Sequence, residues 1–255
     1  MDVARVKREV ALANRVLAET GLADGVLISL GHASQRLSDP LDRFVVKGRG
    51  YALDAHPAMR AADMQICDQD GFLIAGPPGS MQCSEVMIHA RIYHARPDVN
   101  AVVHTHARFT VLASVLGYPL VPMCKEGPFL VRDPIPVYPH TKIVNSSEEG
   151  DELAAALGDA DVALMTGHGA VTVGTTLEAA VTNMMLVEEQ AKMNWYAQCA
   201  AGPGHPRIAD KLLDEVRDAA PYWELPHFKA TMTGRPHRDG RWSYYTSVVA
   251  GGVDS

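Results

Sequence analysis

The sequence predicts one α/β domain in which a mostly antiparallel or mixed sheet lies between helical layers. Three observations lead there. Segments with helical apolar spacing interleave with short strand-like runs along most of the chain. The 255 residues, 47% of them apolar, suffice to bury a substantial core. No internal repeat or low-complexity tract divides them, and the Pro/Gly-rich "GPPGS" is too short for a domain linker. A single domain over 1–255 is expected, with a C-terminal extension from about residue 219.

The elements follow in order. Val6, Val10, Leu12, Val16 and Leu17 recur at helical spacing, so residues 3 to 20 read as a helix closed by Gly21. "GVLISLGHASQRL" reads as a strand pair or strand-turn with Gly31 at the turn. "DRFVVKGRGYAL" reads as a strand interrupted by Gly48 and Gly50. "MQICDQDGFLIAGPPGS" reads as a hairpin around Asp70-Gly71, and "GPPGS" as a rigid turn into the next helix. Ser84 can cap a helix through "EVMIHARIYHARP", which Pro97 ends. "NAVVHTHA" is a strand and "FTVLASVLG" a helix. "SEEGDELAAALGDA" is a helix, and "DVALMTGHGAVTVG" is strand, turn and strand. Residues 176 to 199 carry the longest helical pattern. The rest is helical to about Asp218, then Pro-rich and irregular.

Charge and composition exclude several classes. A net charge of −7 with no long basic run argues against a nucleic-acid or anionic-membrane partner. No apolar stretch reaches the roughly 20 residues of a membrane span. The N-terminal segment is amphipathic and lacks a signal-peptide core. Cys67, Cys83, Cys124 and Cys199 form no C-x-x-C pair, which reads as reduced thiols in a cytoplasmic protein.

"NAVVHTHARF" carries the first chemical signal. Alternate residues of a strand point the same way, so His104 and His106 project together and can share a metal ion. The competing reading is two ordinary histidines at a strand end. A third ligand decides, because catalytic zinc sites use three protein ligands and leave one position open. His168 in "LMTGHGAV" is the best candidate, flanked by Gly167 and Gly169, although it also reads as a solvated turn residue. Glu85 stands at the start of the helix before the His-x-His strand. It reads as ligand or general base, or as a favourable first-turn carboxylate. Other His-x-His architectures fit less well. A cupin wants a Glu soon after the second histidine, a metallo-β-lactamase site wants Asp where Arg108 stands, and an amidohydrolase barrel needs more chain downstream.

Three segments together resemble the class II aldolase/adducin family. "GHASQRL" is similar to its early Gly-[Asn/His]-x-Ser-x-Arg turn. "CSEVMIHARIYHARPDVNAVVHTHA" is similar to its Ser-Glu, helix, Arg-Pro-Asp, strand, His-x-His segment, and "TGHGAVTVGTTLEAAV" to its late His-Gly turn. The resemblance covers residues 5 to 200. It implies a three-layer α/β/α fold with a central, mostly antiparallel sheet, and a cyclic homotetramer with sites near subunit interfaces. It also implies one divalent metal ion per subunit on His104, His106 and His168, foremost Zn2+, with Mn2+, Fe2+ or Co2+ as alternatives. Glu85 stands where the enzymes of the family carry the catalytic acid/base.

The sequence departs from the family's sugar-phosphate aldolases at their phosphate cradle. "VVKGRGYAL" and "MQCSE" put Lys47, Arg49 and Cys83 where small hydroxyl donors belong. The two cations can meet a carboxylate, Arg as a bidentate fork, or can be solvated charges on a surface strand. Arg36 is a further anion contact, and His32 and Ser84 complete the expected substrate-binding set. This resembles the branch that decarboxylates dihydroxyphthalate or hydroxymethylpyridine-dicarboxylate. The implied activity is metal-dependent, non-oxidative decarboxylation of an anionic ortho-hydroxy aromatic or heteroaromatic (di)carboxylate. The alternatives are retro-aldol cleavage of a non-phosphorylated hydroxy-keto substrate and a non-catalytic adducin-like scaffold. No role is assigned to His227, His237 or Tyr244.

Overall fold

The computed structural model describes residues 2–39, 42–232 and 240–254. Helix α1 (Val3–Glu19) begins where the Asp2 carboxylate accepts a hydrogen bond from the Ala4 N–H. The strands β1 (His32–Arg36), β2 (Arg43–Arg49), β3 (Met64–Asp68) and β4 (Leu73–Ala75) follow, with a short β5 (Met81–Gln82). Helix α2 (Val86–Ala95), strand β6 (Ala101–Thr105) and helix α3 (Arg108–Leu116) come next. Then come β7 (Val137–Tyr138), α4 (Ser147–Leu157), β8 (Val162–Met165), β9 (Gly169–Gly174) and the long α5 (Leu177–Ala201). The chain ends in α6 (Asp210–Arg217), α7 (Pro226–Met232) and α8 (Gly240–Val248).

The strands form one mixed sheet in the order β4-β3-β2-β1-β6-β9-β8-β7, with β5 added to β2. Its pairings are antiparallel except β7 with β8. Pleating sends alternate side chains to opposite faces. On β6, Ala101 and Val103 join the core beneath α1 and α5, while Val102 points to the core beneath α2 and α4. Both faces of the central strands are therefore apolar, as a sheet covered by helices on both sides requires. Each fully buried Val on these strands contributes roughly 1.5–3 kcal/mol relative to exposure. This is an α/β fold with helices on both faces of a mixed central sheet. Among the described residues, no helix is long and apolar enough to cross a membrane.

Several local expectations need correction. The first half of "GVLISLGHASQRL" is not a strand: residues 25–27 form a single 3-10 turn, and pairing starts only at His32. Gly48 does not interrupt β2, because β5 pairs with it there and closes the ladder. Ser84 does not cap α2. Glu85 occupies the capping position and makes no capping hydrogen bond, since its carboxylate is turned elsewhere. The segment after Asp218 is not wholly irregular. Arg15 of α1 donates to the carbonyls of Met59, Val249, Gly251 and Gly252, and Trp242 and Tyr245 of α8 pack on the main core. His227 and Tyr244 are exposed, and His237 lies outside the described residues.

Candidate metal centre and active site

Register brings the histidines together. In the β1–β6–β9 ladder His32 is opposite His104, and His104 is opposite Val171. His104 shares the face of Val102, so it emerges beneath the start of α2. His106 follows two residues later, just past the strand end. His168 sits in the tight turn between β8 and β9. Gly167 takes a left-handed backbone there (φ +64°), and any side chain at Gly169 would overlap the Thr105 carbonyl. The turn can therefore press against the end of β6, which puts the three rings 4.6 to 5.0 Å apart, centroid to centroid.

Glu85 closes the cluster. β5 pins the preceding residues to the end of β2, so the chain enters α2 directly above this strand end. The carboxylate lies 3.2 Å from His168 Nε2, 3.5 Å from His104 Nε2 and 4.0 Å from His106 Nε2. Val144 N–H donates to it from the far side. Ligand atoms of Glu85, His104, His106 and His168 all lie within 4.8 Å of one another.

The donor set fits a divalent metal. His104 Nδ1–H donates to the Ala170 carbonyl at 3.0 Å, which leaves Nε2 as the bare nitrogen. That Nε2 and the Nε2 of His106 are buried and have no hydrogen-bond partner. Buried polar atoms are ordinarily satisfied, so two orphaned lone pairs converging on one point suit an ion. Burial, reinforced by the neighbouring His104 and His168, pushes the His106 pKa down to about 3, so the ring is neutral as ligation needs. Burial acts against the Glu85 carboxylate, but His168 Nε2 at 3.2 Å and His32 Nε2 at 3.8 Å, which can turn N–H groups to it, oppose burial and hold its pKa below the usual range.

The remaining expected residues divide. His32 is at the cluster, with Nε2 3.8 Å from Glu85. Ser84 is exposed one residue before Glu85. Arg36 is not brought there. It lies at the other end of β1, roughly 13 Å along the strand from His32. Its guanidinium donates to the carbonyls of Tyr93, Arg96 and Val99 and stacks over the Tyr93 ring. Lys47 is likewise not presented. Pleating puts it on the α1 face with Val45, and its amine bonds Asp54 at 2.7 Å while 1% of the side chain is exposed. Arg49, at the end of β2, also meets Asp54, at 3.5 Å, but keeps 30% exposure. A pair of free cations awaiting an anion is thus replaced by one buried ion pair and one partly open guanidinium.

Sequence reasoning missed His89, Ser34 and Tyr93, which are buried behind His32. Their spacing carried a signal. His89 is one helical turn after Glu85, Tyr93 one turn further, and Ser34 two strand residues after His32.

Comparison with known proteins follows the same lines. Residues 8–195 match the family model described as Class II Aldolase and Adducin N-terminal domain. The chain is 32% identical over 206 residues to a 3,4-dihydroxyphthalate decarboxylase of Arthrobacter keyseri, covering 78% of this chain and 81% of that one. Among solved structures, the L-fuculose 1-phosphate aldolase of Glaciozyma antarctica PI12 superposes with a TM-score of 0.75 at 25% identity, covering 96% of this chain and 88% of that one. An aldolase II superfamily protein of Pseudomonas syringae has a TM-score of 0.78 at 22% identity over 98% of this chain and 94% of its own, a likeness of fold alone.

Proposed function

The chain belongs to the class II aldolase and adducin family, and from that premise we propose that it is a metal-dependent carboxy-lyase acting on an ortho-hydroxy aromatic or heteroaromatic carboxylate. A dicarboxylate such as 3,4-dihydroxyphthalate or 3-hydroxy-2-methylpyridine-4,5-dicarboxylate is the substrate class. The observation that carries the reading is the Glu85 carboxylate within 4.0 Å of the Nε2 atoms of His104, His106 and His168. Decarboxylation is favoured over phosphate-directed aldol chemistry by the named activity of the Arthrobacter relative and by Cys83, buried where a phosphate-binding hydroxyl would stand.

His104, His106 and His168 would hold the ion, Zn2+ foremost, with Glu85 able to complete the set. A divalent ion there supplies a Lewis acid that stabilises negative charge on the substrate's hydroxyl oxygen and anchors that oxygen. Glu85 starts ionised, so its first task is to accept the hydroxyl proton. It then returns that proton to the ring carbon bearing the carboxylate. The carbon–carbon bond breaks, CO2 leaves, and the bonding pair restores the ring; solvent later reprotonates the hydroxyl. The tight packing of α2 on the strand ends keeps water from competing at the Glu85 carboxylate. Arg49 is the side chain proposed to hold the second carboxylate, and Ser84 and His32 offer polar contacts beside Glu85.

The test is incubation of the metal-loaded protein with a panel of hydroxyaryl mono- and dicarboxylates while released CO2 is measured. Aldehyde or pyruvate without CO2 would instead select retro-aldol cleavage, the second reading, which the likeness to the Glaciozyma aldolase favours. A homotetramer and a cytoplasmic location, in keeping with four free thiols, complete the proposal. A monomer in light scattering at micromolar concentration would contradict the assembly.

A further inference from the structure

Behind His32 runs an uninterrupted buried chain of hydrogen bonds. His32 Nδ1 lies 2.6 Å from His89 Nε2. His89 Nδ1 lies 2.6 Å from Ser34 Oγ, and Ser34 Oγ lies 2.7 Å from the Tyr93 hydroxyl. All four side chains are 3% exposed or less. No step proposed above for the reaction uses His89, Ser34 or Tyr93.

We propose that this chain has one polarity, and that it fixes His32 as the tautomer whose Nε2–H faces Glu85 and the substrate cavity. His89, Ser34 and Tyr93 are then positioning residues. The Glu85 end sets the direction. His32 Nε2 lies 3.8 Å from the Glu85 carboxylate, which when ionised only accepts, so the hydrogen of a neutral His32 belongs on Nε2 and its Nδ1 is bare. His89 Nε2–H then donates to His32 Nδ1, the Ser34 hydroxyl donates to His89 Nδ1, and the Tyr93 O–H donates to Ser34 Oγ. Both rings are buried, His32 3% and His89 0% exposed, which disfavours the charged imidazolium and keeps one hydrogen on each. With one hydrogen per ring, reversing one bond forces all the others to reverse and turns a bare nitrogen toward a carboxylate.

A second reading of the same atoms is a buried metal site of His32, Cys83 and His89, whose ligand atoms are mutually close. The distance between the two nitrogens decides against it. Two nitrogens about 2.0–2.1 Å from a tetrahedral ion sit roughly 3.3 Å apart, whereas 2.6 Å is a short hydrogen bond.

The outcome is a neutral donor of fixed direction in a centre otherwise made of acceptors. Glu85 offers only lone pairs when ionised, and with an ion in place the three imidazoles would give theirs to it. An N–H held beside them gives a substrate carboxylate oxygen a hydrogen bond without adding charge. This role at the substrate rests on the lyase reading; the tautomer does not.

Neutron diffraction from deuterium-exchanged crystals of the metal-loaded full chain tests it. The expected map has deuterium on Nε2 of His32 and of His89, and none on either Nδ1. Deuterium on His32 Nδ1, or on both nitrogens of either ring, overturns the proposal. Ser34→Ala breaks the chain at its centre. Its map should show deuterium shared between the two nitrogens of His32, and kcat should fall about fivefold to tenfold, the worth of one hydrogen bond, with KM within about twofold. A Ser34→Ala protein with an unchanged map and unchanged kcat also overturns it. If the wild-type map is as expected but no hydroxyaryl carboxylate is turned over, the lyase reading fails and the positioned tautomer stands.

Discussion

Nε2 of His168 lies 3.2 Å from Oε1 of Glu85, although 83 positions separate the two residues in the chain. The contact joins the β8–β9 turn to the first residue of the α2 segment across the end of β6. It is the closest approach among the three expected ligands and the carboxylate, and the predictions below start from it.

Replacing His106 by Ala removes one of the two orphaned Nε2 atoms at the cluster and opens the centre to water. Metal content of the purified protein, read by elemental analysis, should fall from about one ion per subunit to near zero, and turnover should disappear with it. Full occupancy in a folded His106→Ala protein would remove His106 from the ligand set.

Glu85→Gln keeps the shape of the side chain and removes its ability to accept a proton. Turnover should fall by about 10² or more, the range of a positioned acid–base group. Metal content separates the two roles of Glu85. Retained metal with lost turnover marks it as the proton carrier, and lost metal marks it as a ligand. An unchanged rate would take Glu85 out of the proton transfer.

Arg49→Met should raise KM for a dicarboxylate far more than for its monocarboxylate analogue, by roughly tenfold or more for one lost charged hydrogen bond. Lys47→Met should act differently. It strips Asp54 of its closest partner but leaves it Arg49 at 3.5 Å, so its main effect should be on stability, with a cost of about 1.5–2 kcal/mol for one lost charged hydrogen bond. Equal losses for both substrates with Arg49→Met would take Arg49 out of substrate binding.

His56 supplies a pH dependence away from the metal centre. Burial, followed by the nearby positive charge of Lys47, pushes its pKa down from 6.5 to about 3. Between those values the unfolded chain binds a proton at this residue and the folded chain does not. Stability is therefore fully present above pH 6.5 and declines as pH falls, by up to about 1.4 kcal/mol per pH unit for one group. Thermal unfolding of the wild type should lose more between pH 6.5 and 4 than that of His56→Gln. Parallel curves would show that His56 is not buried neutral.

Arg15→Met should loosen the C-terminal segment, because three of the four carbonyls that Arg15 holds belong to residues 249–252. Limited proteolysis should then cut within residues 240–254 well before the rest of the chain. Unchanged protection would show that Trp242 and Tyr245 hold the segment without it.

What the sequence determined by itself was local chemistry. The alternation in "NAVVHTHA" put His104 and His106 at one strand end, the glycines around His168 marked a turn able to approach another backbone closely, and the apolar periodicities placed the central elements of the sheet and its covering helices. Residues close in sequence share a strand or a turn, so their relative directions follow from the period of the backbone. Only the tertiary structure decided what those directions meet. Lys47 and Arg36 read as available cations because sequence shows charge but not partner. The fold sets Lys47 on Asp54 and Arg36 on three carbonyls, since a buried cation must be paired. His89 read as an interior helix residue, because one turn of α2 says nothing about which strand lies beneath it. β1 runs under that turn, and its register sets Ser34 and His32 against the two nitrogens of His89. Pairing across a sheet is a long-range choice, and the residues that complete this centre are the ones that choice brings together.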